Sequence, residues 1–192
     1  MQKVLVIHGH PDEKSFTSAC AEAYSQSAEK AGHEVRNIDL ASARFDPVLR
    51  FGYRQRMEEE PFIQQSQEDI LWAQHIAVFF PTWWAGEPSV LKGWFDRVLT
   101  PGIAYRYIPG KVRPERLLSG RTATLVTSSH APAWYTRWTP AYPVRRVGHL
   151  VLGYCGVRVV ERHIYGLVGS TRDTRESREN FIHRCERSAA HL

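Results

Sequence analysis

The sequence has 192 residues, a length that suits one α/β domain with a substantial buried core. Hydrophobic residues make up 43% and charged residues 23%, values typical of globular proteins, which excludes disordered and fibrous classes. The apolar runs are far shorter than the roughly 20 residues that cross a bilayer, and the first residues lack the pattern of a secretory signal. We therefore predict a single domain, residues 1–192, located in the cytoplasm.

The formal charge of +5 comes mainly from arginine, a side chain suited to phosphate groups. Nucleic acid and a phosphorylated small molecule are both compatible with this charge. The arginines are scattered along the chain and no nucleic-acid-binding motif occurs, so we expect no nucleic-acid partner. The three cysteines, Cys20, Cys155 and Cys185, lack C-x-x-C spacing, which argues against a disulfide framework and a zinc site. We expect reduced thiols and no metal.

The first half of the chain predicts a βαβ unit. Lys3 to Ile7 is a β-branched run, and from Ser15 to Ala31 apolar residues recur at helical spacing. Glu34 to Leu40 is a second strand candidate, so a parallel pair follows. Residues 41–63 read as a long surface connection, which is uncommon unless it carries function or assembly.

The second half continues the alternation of helices and strands. Gln64 to Gln74 predicts a helix, His75 to Phe80 a third strand, and Glu87 to Leu99 a helix with Pro88 in its first turn. The apolar stripe of this last helix includes Trp94 and Phe95, which we expect in the core. The remaining predicted elements are a loop at 100–120, a strand at 121–127, a loop at 128–143, a helix at 144–155, a strand at 157–165 and a helix at about 171–190. This pattern predicts an α/β fold with a doubly wound parallel sheet and helices on both faces.

Ligands of doubly wound sheets bind outside the carboxyl ends of the strands. Three loops occupy that edge in the predicted fold: His8 to Thr17, Pro81 to Gly86 and Thr127 to Tyr135. The first loop has neither a dinucleotide-binding G-x-G-x-x-G motif nor a P-loop. It offers instead a helix N-terminus, which suits one phosphate, although Ser15 could equally serve only as a helix cap.

The second and third loops have unusual side chains. Trp83 and Trp84 precede small residues, so a flat ligand could approach the backbone there, with aromatic packing as the alternative. The third loop has hydroxyls, His130 and Tyr135, and a merely solvated histidine is again the alternative. A phosphate site, an aromatic strip and a polar loop at one sheet edge together suit a flavin mononucleotide moiety.

The stretches HPDEKSF and PTWWAGEPSVLKGWFDRVLTPGIAY resemble a known family. The chain is similar to flavodoxin-fold NAD(P)H:quinone oxidoreductases of the DT-diaphorase type, a group that includes ancillary oxidoreductases of bacterial potassium-efflux systems. The resemblance runs from Lys3 to about Gly166 and implies a flavodoxin-like five-stranded sheet of order 2-1-3-4-5. It also implies a bound flavin, FMN or FAD, with NADH or NADPH as co-substrate, a small quinone-like acceptor, and a homodimer with the site at its interface.

The resemblance also assigns site residues. It implies flavin phosphate contacts at His10, Ser15, Phe16 and Thr17. It implies isoalloxazine contacts at Pro81, Thr82, Trp83, Trp84 and Ala85, with Thr127, Ser128, Ser129 and His130 at the other edge of the ring. Tyr135 matches a hydrogen-bond donor near the flavin, and Tyr105 and Tyr107 match positions that line the substrate pocket, often across a dimer interface.

The chain departs from the family at two points. Relatives commonly have T-T-G-G where this chain has Thr127 to His130, and some have a histidine shortly after the tyrosine, where residues 136–144 contain none. Arg137, His130 and His149 are the candidate substitutes for that histidine.

Our leading hypothesis is a ping-pong flavoenzyme with Tyr135 and His130 as catalytic residues. An electron carrier of the flavodoxin type is the first alternative, but such carriers tend to be acidic and to have a hydroxyl-rich phosphate loop, and this chain has neither. The second alternative is a regulatory subunit that docks on a membrane transporter through residues 41–63.

Overall fold

Five long parallel strands form the central sheet, and two short antiparallel strands form a separate pair. The structure is a computed structural model that describes residues 1–139 and 142–192. The strands are Lys3–His8 (β1), Glu34–Asp39 (β2), His75–Pro81 (β3), Tyr105–Arg106 (β4), Glu115–Arg116 (β5), Thr122–Ser128 (β6) and Arg158–Tyr165 (β7). The sheet order is β2-β1-β3-β6-β7, which is 2-1-3-4-5 when only the long strands are counted. The predicted flavodoxin-like sheet is confirmed.

Helices cover both faces of this sheet, as predicted. Their bounds are Phe16–Lys30 (α1), Pro61–Trp72 (α2), Ser89–Val98 (α3), Ala133–Trp138 (α4), Pro143–Arg146 (α5), a π-helical turn at Val147–Leu152, Gly153–Cys155 (α6) and Arg175–Ala190 (α7). α1 and α7 pack together on one face. α2, α3 and the segment 143–155 pack on the other face. None of the helices in the described part of the chain has both the length and the apolar character needed to cross a bilayer.

β3 lies in the middle of the sheet and is buried along its whole length. It pairs with β1 on one side and β6 on the other, and helices cover both of its faces. A strand in this position is expected to be continuously apolar rather than alternating. Trp94 and Phe95 of α3 are buried beside it, as the apolar stripe of that helix predicts.

Two predicted loops contain regular structure. Residues 100–120 include β4 and β5, in which Tyr105 pairs with Arg116. Residues 128–143 include α4, which begins after Pro132, whose φ of −56° suits a helix start. Elements of two to six residues are too short to show a hydrophobic period, so the sequence pattern could not identify them.

The long connection before α2 is held against α3. A Cβ on Gly93 would lie 2.4 Å from the Cβ of Pro47, so the connection crosses α3 where the helix has no side chain. Arg97 is buried, pairs with Glu60 at 2.6 Å and donates to the carbonyl of Asp46. The connection is therefore fixed by close packing and a partly buried ion pair.

His75, at the start of β3, is a polar residue within the core. Its exposed fraction is 1%, and its Nδ1 lies 2.8 Å from the Thr122 hydroxyl. Its Nε2 lies 3.2 Å from the hydroxyls of both Tyr24 and Thr124. Burial lowers the pKa of His75 to about 4, against the opposing charge of Glu161, so the native imidazole is neutral at neutral pH.

We expect the free energy of unfolding to decrease as the pH falls from 6.5 to about 4. Within that window the unfolded chain takes up a proton on His75 and the native chain does not, so protonation favours unfolding. Because one pKa unit is worth about 1.4 kcal/mol, the full loss is about 3 kcal/mol. Urea unfolding of the wild type and of His75→Gln across this pH range measures the effect. The variant should show a shallower pH dependence, and equal slopes would contradict the assignment.

Candidate functional site

The three loops at the carboxyl edge of the sheet are joined by hydrogen bonds. The Gly9 amide donates to the carbonyl of Phe79 at 2.7 Å, which ties the end of β1 to β3. The Thr82 amide donates to the carbonyl of Ser128 at 2.7 Å, and the hydroxyls of Thr82 and Thr127 lie 3.0 Å apart. The loops therefore form one continuous edge, as their sequence positions predict.

The N-terminus of α1 presents backbone donors. Ser15 caps the helix, because its Oγ accepts a hydrogen bond from the Ser18 amide at 3.1 Å. The amides of Phe16 and Thr17 are the first in the helix, and such amides have no carbonyl one turn earlier to accept their hydrogen. The Phe16 ring packs against Tyr165, and the Thr17 side chain is buried. An anion at this point would therefore be bound through the backbone of these two residues.

His10 connects the first loop with the second. Its Nδ1 accepts a hydrogen bond from the Asp12 amide at 2.9 Å. Burial lowers the pKa of His10, although the charge of Asp12 opposes the shift, so the neutral ring carries its proton on Nε2. The ring lies edge-on to Trp83, with 5.2 Å between the ring centroids. His10 thus offers one donor beside the helix N-terminus.

The second loop is a tight hairpin that follows Pro81, the buried last residue of β3. Trp83 and Gly86 exchange two backbone hydrogen bonds of 2.8 Å. Trp84 and Ala85 between them have φ angles of 50° and 56°, in the left-handed region that costs other residues than glycine about 1–2 kcal/mol each. The Trp84 side chain is fully exposed, and Trp83 is 44% exposed. Trp84 therefore does not pack beneath the loop.

The third loop is held by the end of β7. Thr127 and Ser129 are buried, and the Ser129 amide donates to the carbonyl of Tyr165 at 2.9 Å. His130 is exposed and donates from Nδ1 to the carbonyl of Val168 at 2.8 Å. In this tautomer Nε2 is the acceptor nitrogen, and it has no hydrogen-bond partner among residues 1–139 and 142–192.

Tyr135 lies on α4 rather than in the third loop. Its side chain is 43% exposed and meets Trp134 and Tyr142 edge-on, with ring centroids 5.7 and 5.4 Å away. The hydroxyl is thus carried by a short helix that starts directly after the third loop.

Tyr105 and Tyr107 are not brought to this edge within one chain. Tyr105 meets Tyr107 and Tyr154 edge-on, with ring centroids 5.4 and 5.2 Å away. Tyr154 lies in α6, which leads into the amino end of β7. These tyrosines therefore lie towards the opposite end of the sheet from the three loops.

The segment between β7 and α7 also supports the site, and sequence reasoning missed it. Asp173 accepts hydrogen bonds of 2.7 Å from two nitrogens of Arg178 and from the Tyr165 hydroxyl, and these donors, Arg178 above all, hold its pKa well below the usual range. A Cβ on Gly166 would lie 2.4 Å from the amide of Ala133, so this segment lies directly against the start of α4. The glycines at 166 and 169 were the available signal.

Glu87, directly after the hairpin, is a second residue of the site that the sequence did not reveal. Its carboxylate pairs with Arg146 of α5, its side chain is 1% exposed, and its Oε1 has no partner within the described ranges. A glutamate at a helix start is usually solvated, so the sequence carried no signal for this buried pair. The pair ties the hairpin to the helices that cover β6.

The donors at this edge fit a ligand that has both an anionic group and a flat ring. The first backbone amides of α1 and a neutral histidine donor lie at one end, and an exposed tryptophan hairpin with two threonine hydroxyls lies at the other. A flavin with its ribityl phosphate has this chemistry.

The sequence matches the flavodoxin-like fold family over residues 2–188. A relative described as an uncharacterized NAD(P)H oxidoreductase of Haemophilus influenzae is 28% identical over 84% of this chain and 82% of its own length. NAD(P)H dehydrogenase (quinone) 1 of Cavia porcellus is 31% identical over a match that covers 56% of this chain and 46% of that relative's length. The solved structure of an NAD(P)H:quinone oxidoreductase from Methanothermobacter marburgensis matches with a TM-score of 0.76 and 27% identity over 98% of both chains. Since the family match covers nearly the whole sequence, the chain belongs to the flavodoxin-like fold family.

Proposed function

We propose that this chain is a flavin-dependent NAD(P)H oxidoreductase that passes two electrons to a quinone or a related small acceptor. The proposal rests on one observation, that three features meet at one edge of the sheet. They are the N-terminus of α1, the tryptophan hairpin whose backbone has two strained residues, and the third loop with its hydroxyl groups. Similarity to proteins named as NAD(P)H oxidoreductases and quinone reductases supports it.

The first loop would hold the phosphate of the flavin. The amides of Phe16 and Thr17 and the positive end of the α1 dipole favour an anion there. His10 adds a donor that stays neutral at neutral pH. The same donors would serve FMN or one phosphate of FAD.

The second and third loops would hold the flavin ring. When bound, the flavin supplies the hydride and electron exchange between nicotinamide and acceptor. The hairpin from Trp83 to Gly86 would fix the backbone that faces the ring, because reciprocal hydrogen bonds close it. Tyr135 would donate to negative charge on the ring, and such a preorganised donor is worth about 3 kcal/mol. His130, with a free Nε2, would exchange a proton at the rim of the same loop.

A second copy of the chain would complete the site. Trp84, Trp134 and Tyr135 are exposed in one chain, as are Tyr107 and Tyr53 at the other end of the sheet. Exposed aromatic surface of this kind is typical of interaction sites. We therefore propose a homodimer in which the exposed Tyr107 of one subunit lines the acceptor pocket of the other. Tyr105 is 7% exposed and would support the Tyr107 ring from within its own subunit.

The direct test is to supply purified protein with FMN or FAD and to measure NADH and NADPH oxidation with and without a small quinone. We expect flavin to remain bound through gel filtration and the quinone to be reduced without any separate reductase. A flavin-bearing protein that needs a separate reductase would indicate an electron carrier. A protein that retains neither flavin would refute the proposal altogether.

Replacement of Tyr135 by Phe tests the hydroxyl. We expect the rate of quinone reduction to fall by about a hundredfold, because one preorganised donor is lost, while flavin affinity changes little. Tyr142→Phe is a matched control, since it removes a hydroxyl from the ring that touches Tyr135. Stopped-flow absorbance at the flavin band separates reduction by NAD(P)H from reoxidation by the quinone. Unchanged rates for both steps in Tyr135→Phe would remove the residue from the mechanism.

A further inference from the structure

Three arginines from separate elements lie together beside α4. Arg137 of α4 donates from Nη1 to the carbonyl of Arg162 on β7 at 3.3 Å. Arg145 of α5 donates to the carbonyl of Trp138, the last residue of α4, at 3.0 Å. Gly148 lies one helical turn beyond Arg145, and a Cβ added to it would lie 3.2 Å from Nη2 of Arg162. Arg137, Arg145 and Arg162 are named here the arginine cluster.

No carboxylate within residues 1–139 and 142–192 forms a salt bridge with the arginine cluster. The sequence accounts for this, because it has six arginines and no aspartate or glutamate between Glu115 and Glu161. Glu161 is engaged by His163 and Ser188. Burial, and then the charges of Arg137 and Arg145, lower the pKa of Arg162. The cluster is therefore a concentration of positive charge that the protein itself does not neutralise.

Exposed aromatic rings adjoin this charge. Trp134 and Trp138 lie four residues apart on α4, so they share one face of the helix, and each is 67% exposed. Tyr135, the proposed donor to the flavin, lies on the same short helix. Guanidinium groups bind phosphate in a bidentate manner, and indoles offer a face to a purine ring. The surroundings therefore suit a phosphorylated adenosine close to the proposed flavin site.

We propose that the arginine cluster binds the 2′-phosphate of NADPH, so that the protein binds NADPH in preference to NADH. This inference rests on the proposed function. The two co-substrates differ only at this position, where NADH has a hydroxyl group. Arg137 and Arg145 approach from the helical layer and Arg162 from the edge strand, so a dianion among them would receive donors from both sides. Exposed Trp134 and Trp138 provide stacking surfaces for the adenine.

The test is calorimetric titration of the flavin-loaded protein with adenosine 2′,5′-bisphosphate and with adenosine 5′-phosphate, which differ only in the 2′-phosphate. We expect the bisphosphate to bind about tenfold more tightly or better, as charge-assisted hydrogen bonds would produce. Arg145→Gln and Arg162→Gln should each remove most of that advantage and leave the affinity for the monophosphate unchanged. Arg158→Gln is the control, because it removes the same charge from the exposed start of β7.

Equal affinities for the two nucleotides would overturn the proposal, as would an unchanged affinity ratio in both cluster variants. A changed oligomeric state of the variants with an unchanged ratio would also overturn it, because the cluster would then belong to a subunit contact. Binding requires no turnover, so the two proposals can fail separately. A protein that prefers the bisphosphate but reduces no acceptor contradicts the proposed function alone. One that oxidises NADH and NADPH equally, without that preference, contradicts the cluster alone.

Discussion

The burial of β3 on both faces and along both edges is the constraint on which the rest of the structure depends. A strand enclosed in this way leaves its backbone groups no partners except the neighbouring strands, so its register with β1 and β6 is fixed. Its end at Pro81 therefore lies beside the ends of those two strands. The three loops of the candidate site are close together because the strands that precede them are paired.

The hairpin after β3 presents an exposed surface at the end of this buried strand. The backbone turns back within two residues, and both have positive φ without being glycine. Strain of this kind persists only where surrounding structure enforces it, and it tends to occur at functional sites. Here the reciprocal backbone hydrogen bonds between Trp83 and Gly86 close the turn around the two strained residues. The partly buried pair of Glu87 with Arg146 holds the residue that follows the hairpin. The closed turn carries the exposed indole of Trp84.

Features with a long hydrophobic period could be predicted from the sequence. The five long strands and the core positions of Trp94 and Phe95 follow from patterns that extend over six residues or more. The order of the strands in the sheet was implied by the family resemblance and not by these patterns. The short elements β4, β5 and α4 could not be predicted from such patterns, because a single turn or a pair of residues has no period. Tyr135 was for that reason expected in a loop.

Features that depend on tertiary contacts could not be predicted from the sequence. The buried Glu87, the hydrogen-bonded Asp173 and the arginine cluster each depend on residues distant along the chain. Arginines that appear scattered in the sequence meet at α4, α5 and β7 only after folding. The roles that the family resemblance implies for His10, His130 and Tyr135 are proposals. They are supported by the meeting of the first loop, the third loop and α4, which carries Tyr135, at one edge of the sheet.

We propose that the backbone shape of the hairpin after β3 holds a flavin ring. The most direct test is the affinity of flavin-free protein for FMN and FAD, measured by quenching of flavin fluorescence, in Ala85→Gly and Ala85→Val. Glycine adopts the φ of 56° freely, whereas a β-branched residue strongly resists it. We expect the glycine variant to bind flavin as the wild type does and the valine variant to bind flavin about tenfold more weakly or worse. Equal flavin affinity in the two variants, with both proteins folded, would contradict it.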